Sequence, residues 1–239
     1  NIFAGFSKDG IHWDINHDPI VMLPGNTEMI DSDYKYDPRV VFIEDRYWIT
    51  WCNGYHGPTI GIGYTFDFKE FYQCENAFLP FNRNGVLFPE KINGKYVALH
   101  RPNSDSFSLP SIWYCESPDL NYWGNHSCLL RPAKNKYESK KIGVGPEPIK
   151  TDKGWLVLYH GAGDDSVYTL HLCLLDLDDP RKVLKRTQQS ILAPEDKWEK
   201  EGFFPNVVFS NGWIKEADGR ILIYYGAADD SICLAETTV

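Results

Sequence analysis

The segment Val40-Val41-Phe42-Ile43-Glu44-Asp45-Arg46-Tyr47-Trp48-Ile49-Thr50-Trp51 is two apolar runs joined by a short acidic turn. β-Branched and aromatic runs of this length favour strands, and the turn folds them back as a hairpin. The same theme returns three times. Val86-Leu87-Phe88 and Tyr96-Val97-Ala98-Leu99 flank Asn93-Gly94. Pro148-Ile149 and Trp155-Leu156-Val157-Leu158-Tyr159 flank Asp152-Lys153-Gly154. Val207-Val208-Phe209 and Ile221-Leu222-Ile223-Tyr224-Tyr225 flank Ala217-Asp218-Gly219. Asn-Gly and Asp-Gly tolerate positive φ, which makes them strong hairpin signals. The modules start at 40, 86, 146 and 207, spaced by 46, 60 and 61 residues.

A second element accompanies the hairpins: Ser7-Lys8-Asp9-Gly10-Ile11-His12-Trp13, Thr65-Phe66-Asp67-Phe68-Lys69-Glu70-Phe71 and Ser117-Pro118-Asp119-Leu120-Asn121-Tyr122-Trp123. Each reads as an Asp-centred turn plugged by an aromatic ring, and Leu175-Asp176-Leu177-Asp178-Asp179-Pro180 fills the same place later. Strand modules at this period indicate an all-β propeller rather than a sandwich. Helix is scarce, with one short candidate at Glu195-Asp196-Lys197-Trp198-Glu199-Lys200.

The 239 residues include 8 Trp, 14 Tyr and 13 Phe against 19 Gly and 15 Pro, a mixture of strands and turns that excludes a disordered chain. A net charge of −9 argues against nucleic acid or anionic lipid as a partner for the whole surface. No apolar run is long enough to span a membrane, and no signal peptide is visible at the start. Of six dispersed cysteines without a C-x-x-C pair, Cys52, Cys115, Cys173 and Cys233 read as buried small hydrophobes in strands, and the set favours a reducing, cytoplasmic compartment. The seven histidines show no metal spacing, and no phosphate-loop or nucleophile-elbow motif occurs, so neither metal nor cofactor is expected.

Polar residues fall at comparable points of the modules: Asp37, Arg83 and Lys141 ahead of their hairpins, Arg101, His160 and Asp229 after theirs. Propeller strands converge on a central channel, so these side chains are candidates to meet there. The basic residues have two readings, as solvated or carboxylate-paired loop charges, or as a local anion site in an acidic protein. Asp37 likewise reads either as a turn initiator before Pro38 or as a site carboxylate.

Together these segments resemble glycoside hydrolase family 130, the β-mannoside phosphorylases and related β-mannosidases. The resemblance runs through Ser7-Lys8-Asp9-Gly10, Asp37-Pro38-Arg39, Asn82-Arg83-Asn84-Gly85, Arg101-Pro102, Lys141-Ile142-Gly143-Val144-Gly145, Tyr159-His160-Gly161 and Tyr224-Tyr225-Gly226-Ala227-Ala228-Asp229. It implies a five-bladed β-propeller, here a single catalytic domain over residues 1–239 whose first blade is incomplete because the N-terminus is truncated. It implies inverting phosphorolysis of a β-mannoside to α-mannose 1-phosphate, with inorganic phosphate as co-substrate. Asp37 resembles the catalytic acid, which acts through the 3-hydroxyl of the mannosyl ring. Arg83, Arg101, Lys141, His160 and Tyr168 match the phosphate-binding residues, and Asp229 matches a carboxylate that holds the sugar. The partners implied are a β-mannoside oligosaccharide and phosphate, with a homo-oligomer as one option.

Three departures from the family pattern stand out. Tyr36 replaces a common Glu before Asp37. Glu147 adds a carboxylate that serves either as a structural acceptor or as a hydrolytic base. The stretch that contributes an active-site Arg ahead of Ser7 is missing. An inverting β-mannosidase and a non-catalytic glycan-binding propeller displaying Trp48, Trp51, Tyr55 and Trp113 remain alternatives. His56, Asn103 to Ser108 and Asp164 to Ser166 are candidate rim residues for acceptor choice.

Overall fold

A computed structural model describes residues 1–26, 28, 32, 34–54, 57–102 and 108–238. Tyr55, His56 and residues 103–107 lie outside this set. The chain opens with a two-stranded ribbon, β1 (Gly5–Ser7) and β2 (Trp13–Ile15). Blade 1 follows, with β3 (Met22–Pro24), β4 (Lys35–Ile43), β5 (Arg46–Asn53), β6 (Thr59–Thr65) and β7 (Phe71–Gln73) in the order β3-β7-β6-β5-β4. Blade 2 holds β8 (Asn82–Leu87), β9 (Tyr96–Pro102), β10 (Ile112–Ser117) and β11 (Gly124–Leu130). Blade 3 holds β12 (Lys141–Val144), β13 (Ile149–Thr151), β14 (Gly154–Ala162), β15 (Tyr168–Leu175) and β16 (Val183–Arg186). A short helix α1 (Lys197–Lys200) leads to blade 4, with β17 (Val208–Lys215), β18 (Arg220–Ala227) and β19 (Ser231–Thr238).

Among the described residues the propeller therefore shows four blades, not the five expected. Each of the four hairpin modules supplies one sheet, whereas the Ser7–Trp13 turn joins only two strands of three residues each. This ribbon leans on blade 4, where the Tyr224 hydroxyl donates to the Gly10 carbonyl at 2.9 Å and Trp13 meets the Tyr224 ring edge-on at 5.7 Å. Strand β4 packs beside β8, β8 beside β12, and β17 beside β15 and β4, so the four sheets surround one centre.

The Asp-centred turns are built alike. In each, the hydroxyl of Ser7, Thr65 or Ser117 accepts the amide three residues on, and the carboxylate of Asp9, Asp67 or Asp119 accepts two further amides. These bonds satisfy turn amides that no strand partner reaches. The first turn joins the two strands of the ribbon, the second links β6 to β7, and the third links β10 to β11.

Apolar side chains leaving the two faces of each sheet pack against the neighbouring sheets. Val41, Ile43 and Ile62 of blade 1 meet Leu87, Ala98 and Cys115 of blade 2. Val86, Leu99 and Tyr114 meet Ile142, Trp155 and Tyr159 of blade 3. Leu158 and Leu170 meet Val208, Trp213 and Ile223 of blade 4. Trp51, offered above as a glycan-binding ring, is 1% exposed and belongs to the core beside Ala4, Met22 and Phe71.

One polar cluster sits inside blade 3. The buried Glu138 accepts from Arg186 at 2.6 Å, from the Tyr159 hydroxyl at 3.0 Å and from the Asn135 amide at 3.0 Å. Breaking a buried pair from one side leaves an uncompensated charge. Glu138→Ala is expected to lower unfolding free energy by about 3–5 kcal/mol, read from urea denaturation. A loss below about 1 kcal/mol, the scale of an exposed pair, would show that the cluster is solvated.

Among the described residues, no helix is long and apolar enough to cross a membrane.

Candidate active site

Asp37, Arg83, Arg101, Lys141, His160, Tyr168 and Asp229 all line one cavity of about 280 Å³, completed by Tyr36, Asn84, Phe204, Val207 and Phe209. The seven residues assigned to acid, phosphate and sugar are thus brought to one place, whereas the rim candidates Ser108 and Asp164 to Ser166 do not line it. Blade 1 supplies Asp37, blade 2 the two arginines, blade 3 Lys141, His160 and Tyr168, and blade 4 Asp229.

The inner strands begin earlier than the apolar runs suggest. Asp37, Arg83 and Lys141 lie within β4, β8 and β12, not ahead of them. The reason is a repeated irregularity. Tyr36 pairs with Cys52 and Arg39 with Thr50, which leaves two residues of β4 opposite one of β5. Arg83 pairs with Arg101 and Val86 with Leu99 in the same pattern. Such bulges admit a proline and re-aim a side chain. They make Asp37 the structural counterpart of Asn84, and Tyr36 that of Arg83. Asp37 (φ 53), Asn84 (φ 51) and Asp229 (φ 50) all occupy the left-handed region. Asp and Asn tolerate it better than other side chains, yet it still costs energy that a functional site characteristically holds.

Row by row, blade 3 sets out the cationic wall. Lys141 pairs with Ala162 and Ala162 with Tyr168, and the Lys141 ammonium sits over the Tyr168 ring at 4.6 Å. Gly143 pairs with His160. A Cβ at Gly143 would lie 2.6 Å from the His160 ring and 2.8 Å from Arg101 Nη1, so only glycine lets these two approach. Arg101 Nη1 donates to His160 Nε2 at 3.3 Å. His160 therefore carries its proton on Nδ1, which is buried and has no hydrogen-bond partner. The Nε of Arg101 is likewise buried and unpartnered.

Burial pushes the Arg101 guanidinium down to about 10, with the charges of Arg83 and Arg39 adding to the effect. Burial, then Arg101, Arg39 and Lys141, hold His160 well below the usual histidine range, so its ring is neutral. Burial and then the Asp37 charge raise Asp229. Elsewhere, cations find carboxylates: Arg46 with Asp45, Lys91 with Glu44, Lys95 with Glu116, Lys150 with Glu90, and Arg220 with Asp218. Among the described residues, Arg83, Arg101 and Lys141 have no carboxylate within ion-pairing distance. The paired-charge reading of these three thus finds no partner among the described residues. Three cations around one cavity, two with unused donors or a facing ring, are an arrangement able to hold an anion.

Arg39 was visible in the sequence only as part of a motif. It is 2% exposed and donates to the carbonyls of Gly145 at 2.8 Å, Val144 at 3.1 Å and Asp37 at 2.9 Å. It ties the bulge of blade 1 to the inner strand of blade 3 and places a positive charge under the site. A charged residue set between Asp37 and the apolar run at Val40 was its one sequence signal. Glu147, by contrast, does not line the cavity. Burial raises its carboxyl to about 8, and its backbone carbonyl accepts the Trp213 indole at 2.7 Å.

The sheets of this propeller thus set two carboxylates, Asp37 and Asp229, beside three cations in one cavity. The chain belongs to glycoside hydrolase family 130: residues 2–239 match the family described as beta-1,4-mannooligosaccharide phosphorylase. It is similar to the β-1,4-mannooligosaccharide phosphorylase of Ruminococcus albus, at 54% identity over 248 positions, covering 100% of this chain and 73% of that protein. It is similar to the β-1,2-mannobiose phosphorylase of Listeria innocua, at 41% identity, covering 95% of this chain and 63% of that protein. The solved Listeria innocua β-1,2-mannobiose phosphorylase, in complex with β-1,2-mannobiose, superposes with a TM-score of 0.90 at 40% identity. That superposition covers 98% of this chain and 65% of the other. The chain thus spans between three fifths and three quarters of the length of these relatives.

Proposed function

We propose that this chain carries the phosphorolytic site of a β-mannoside phosphorylase. The observation that carries this reading is the set of three cations, Arg83, Arg101 and Lys141, that line the Asp37 cavity with no carboxylate partner among the described residues. A hydrolase has no use for such a set, because water needs no counter-charge. Phosphate is costly to desolvate, and fixed guanidinium and ammonium groups replace its water. His160, neutral and with an unpartnered N–H at Nδ1, adds a donor without adding charge.

In this reading Asp37 donates a proton toward the glycosidic oxygen through the sugar 3-hydroxyl. Phosphate attacks the anomeric carbon from the cationic side. The anomeric C–O bond breaks as the C–O(phosphate) bond forms, so the product is α-mannose 1-phosphate with inverted configuration. Phosphate is already a competent nucleophile, and no second carboxylate is needed to activate it, unlike an inverting hydrolase. Asp229 orients the mannosyl hydroxyls, and holding both reactants in line supplies much of the rate. The relative at 54% identity and the family description both name β-1,4-linked manno-oligosaccharides, which favours that linkage over β-1,2.

Incubation with β-1,4- or β-1,2-mannobiose with and without phosphate, read by NMR, tests the reading. The expected product is α-mannose 1-phosphate, formed only with phosphate and faster from the β-1,4 substrate. Free mannose in a phosphate-independent reaction would replace the phosphorylase reading by the hydrolase one.

A further inference from the structure

His100, Cys115 and His126 stand on three successive strands of blade 2, and none of them lines the cavity of Asp37. Their donor atoms lie within 4.8 Å of one another. His100 Nε2 and His126 Nδ1 are 3.1 Å apart. Two nitrogens bound to one tetrahedral zinc ion sit about 3.3 Å from each other, given Zn–N bonds of about 2.0–2.1 Å. The two imidazoles already hold nearly that separation.

Sheet register explains the convergence. Cys115 pairs with Ala98, two residues before His100, so Cys115 and His100 leave the same face of the sheet. The β10–β11 pairing slips between Tyr114 and Glu116, which sets Asn125 and His126 opposite Cys115. No spacing in the sequence announces this, because the three residues come from three strands.

The surroundings suit a metal centre. The Asn82 side-chain amide lies 2.9–3.2 Å from His100 Nδ1 and fixes the ring so that Nε2 faces His126. An outer hydrogen bond of this kind orients imidazole ligands. Phe78 stacks on His100 at 4.6 Å and shields one side. His126 is exposed and opens onto a cleft walled by Phe78, Asn121, Tyr122 and Trp123.

We propose that His100, Cys115 and His126 form a site for a divalent transition metal of the zinc type, with a fourth position open to this cleft. Two imidazoles and one thiolate select a borderline-soft ion over calcium or magnesium. Ligation replaces the His100–His126 hydrogen bond. Both facing nitrogens then donate to the ion, the ring that held the shared proton carries it on its other nitrogen (Nδ1 of His100 or Nε2 of His126), and Cys115 releases its thiol proton to solvent. The ion pins β9, β10 and β11 together. Strand β9 continues directly into Arg101 of the anion site.

The test uses the intact chain, stripped with chelator and titrated with Co²⁺ alone. The expected result is one ion per chain, giving intense four-coordinate ligand-field bands and a thiolate-to-cobalt charge-transfer band, both abolished by Zn²⁺. His126→Ala should weaken binding by more than the roughly 10–100-fold that loss of an outer hydrogen bond costs. Cys115→Ser should remove the charge-transfer band, whereas Cys128→Ser, on the same blade, should keep it. Cys115 is fully buried, so if its variant fails to fold, the exposed His126→Ala carries the comparison. Absence of saturable binding, or binding unchanged in His126→Ala, would overturn the proposal and leave the cluster as a hydrogen-bonded pair.

Discussion

Asp37→Asn is expected to lower phosphorolysis about 10²–10⁴-fold, the usual worth of a positioned general acid. The same variant should leave the urea midpoint nearly unchanged. Asn has the same shape, and it adopts the left-handed conformation at least as readily as Asp. The backbone carbonyl of residue 37, which accepts from Arg39, is untouched by the change. Loss of activity in a normally folded protein would thus point to the side-chain proton and not to the bulge. A kcat within severalfold of the parent would remove Asp37 from the acid role. The bulge itself can be probed through Arg39, but that residue holds two blades together and would confound chemistry with folding.

Arg101→Met should raise the KM for phosphate by about 30-fold or more, on the scale of 2–5 kcal/mol for removing one partner of a buried charge pair. Methionine keeps the apolar stem and removes the guanidinium. Arg101 is 9% exposed, with its Nε unpartnered and its Nη1 shared with His160. Placing an anion here would give the unpaired Nε a partner. The mannoside KM should move much less than the phosphate KM. Equal effects on both, or none on phosphate, would show that the cationic wall serves the sugar or only the fold. Arg101→Met should also free the His160 ring from its strongest neighbouring positive charge, since Arg101 follows only burial in holding that ring neutral.

Much of this site was legible in the sequence. Hairpins and Asp-centred turns are local: their signals lie within a few residues, and the structure forms each of them where the residues indicate. The resemblance placed seven residues on one site, and all seven line one cavity. Less legible were the strand starts, because the bulges at Asp37 and Asn84 carry polar residues and a proline through an inner strand, where the apolar pattern breaks. The number of blades was also misread. A Ser-x-Asp-Gly turn looks the same whether it belongs to a full sheet or to a two-stranded ribbon, since the hydrogen bonds of its Ser and Asp side chains stay within it.

By itself the sequence determined the strand modules, their turns and the identity of the charged side chains, because each depends on neighbours in the chain. Only the tertiary structure decided which charges lack partners. Arg83 and Arg101 on blade 2 and Lys141 on blade 3 meet at one cavity, and that no carboxylate among the described residues pairs with them depends on how these blades face the centre. The same holds for Arg39, whose acceptors lie 105 and 106 residues away, and for the meeting of His100, Cys115 and His126 across three strands. Burial and pairing are properties of a closed surface, and a linear chain has neither until its sheets come together.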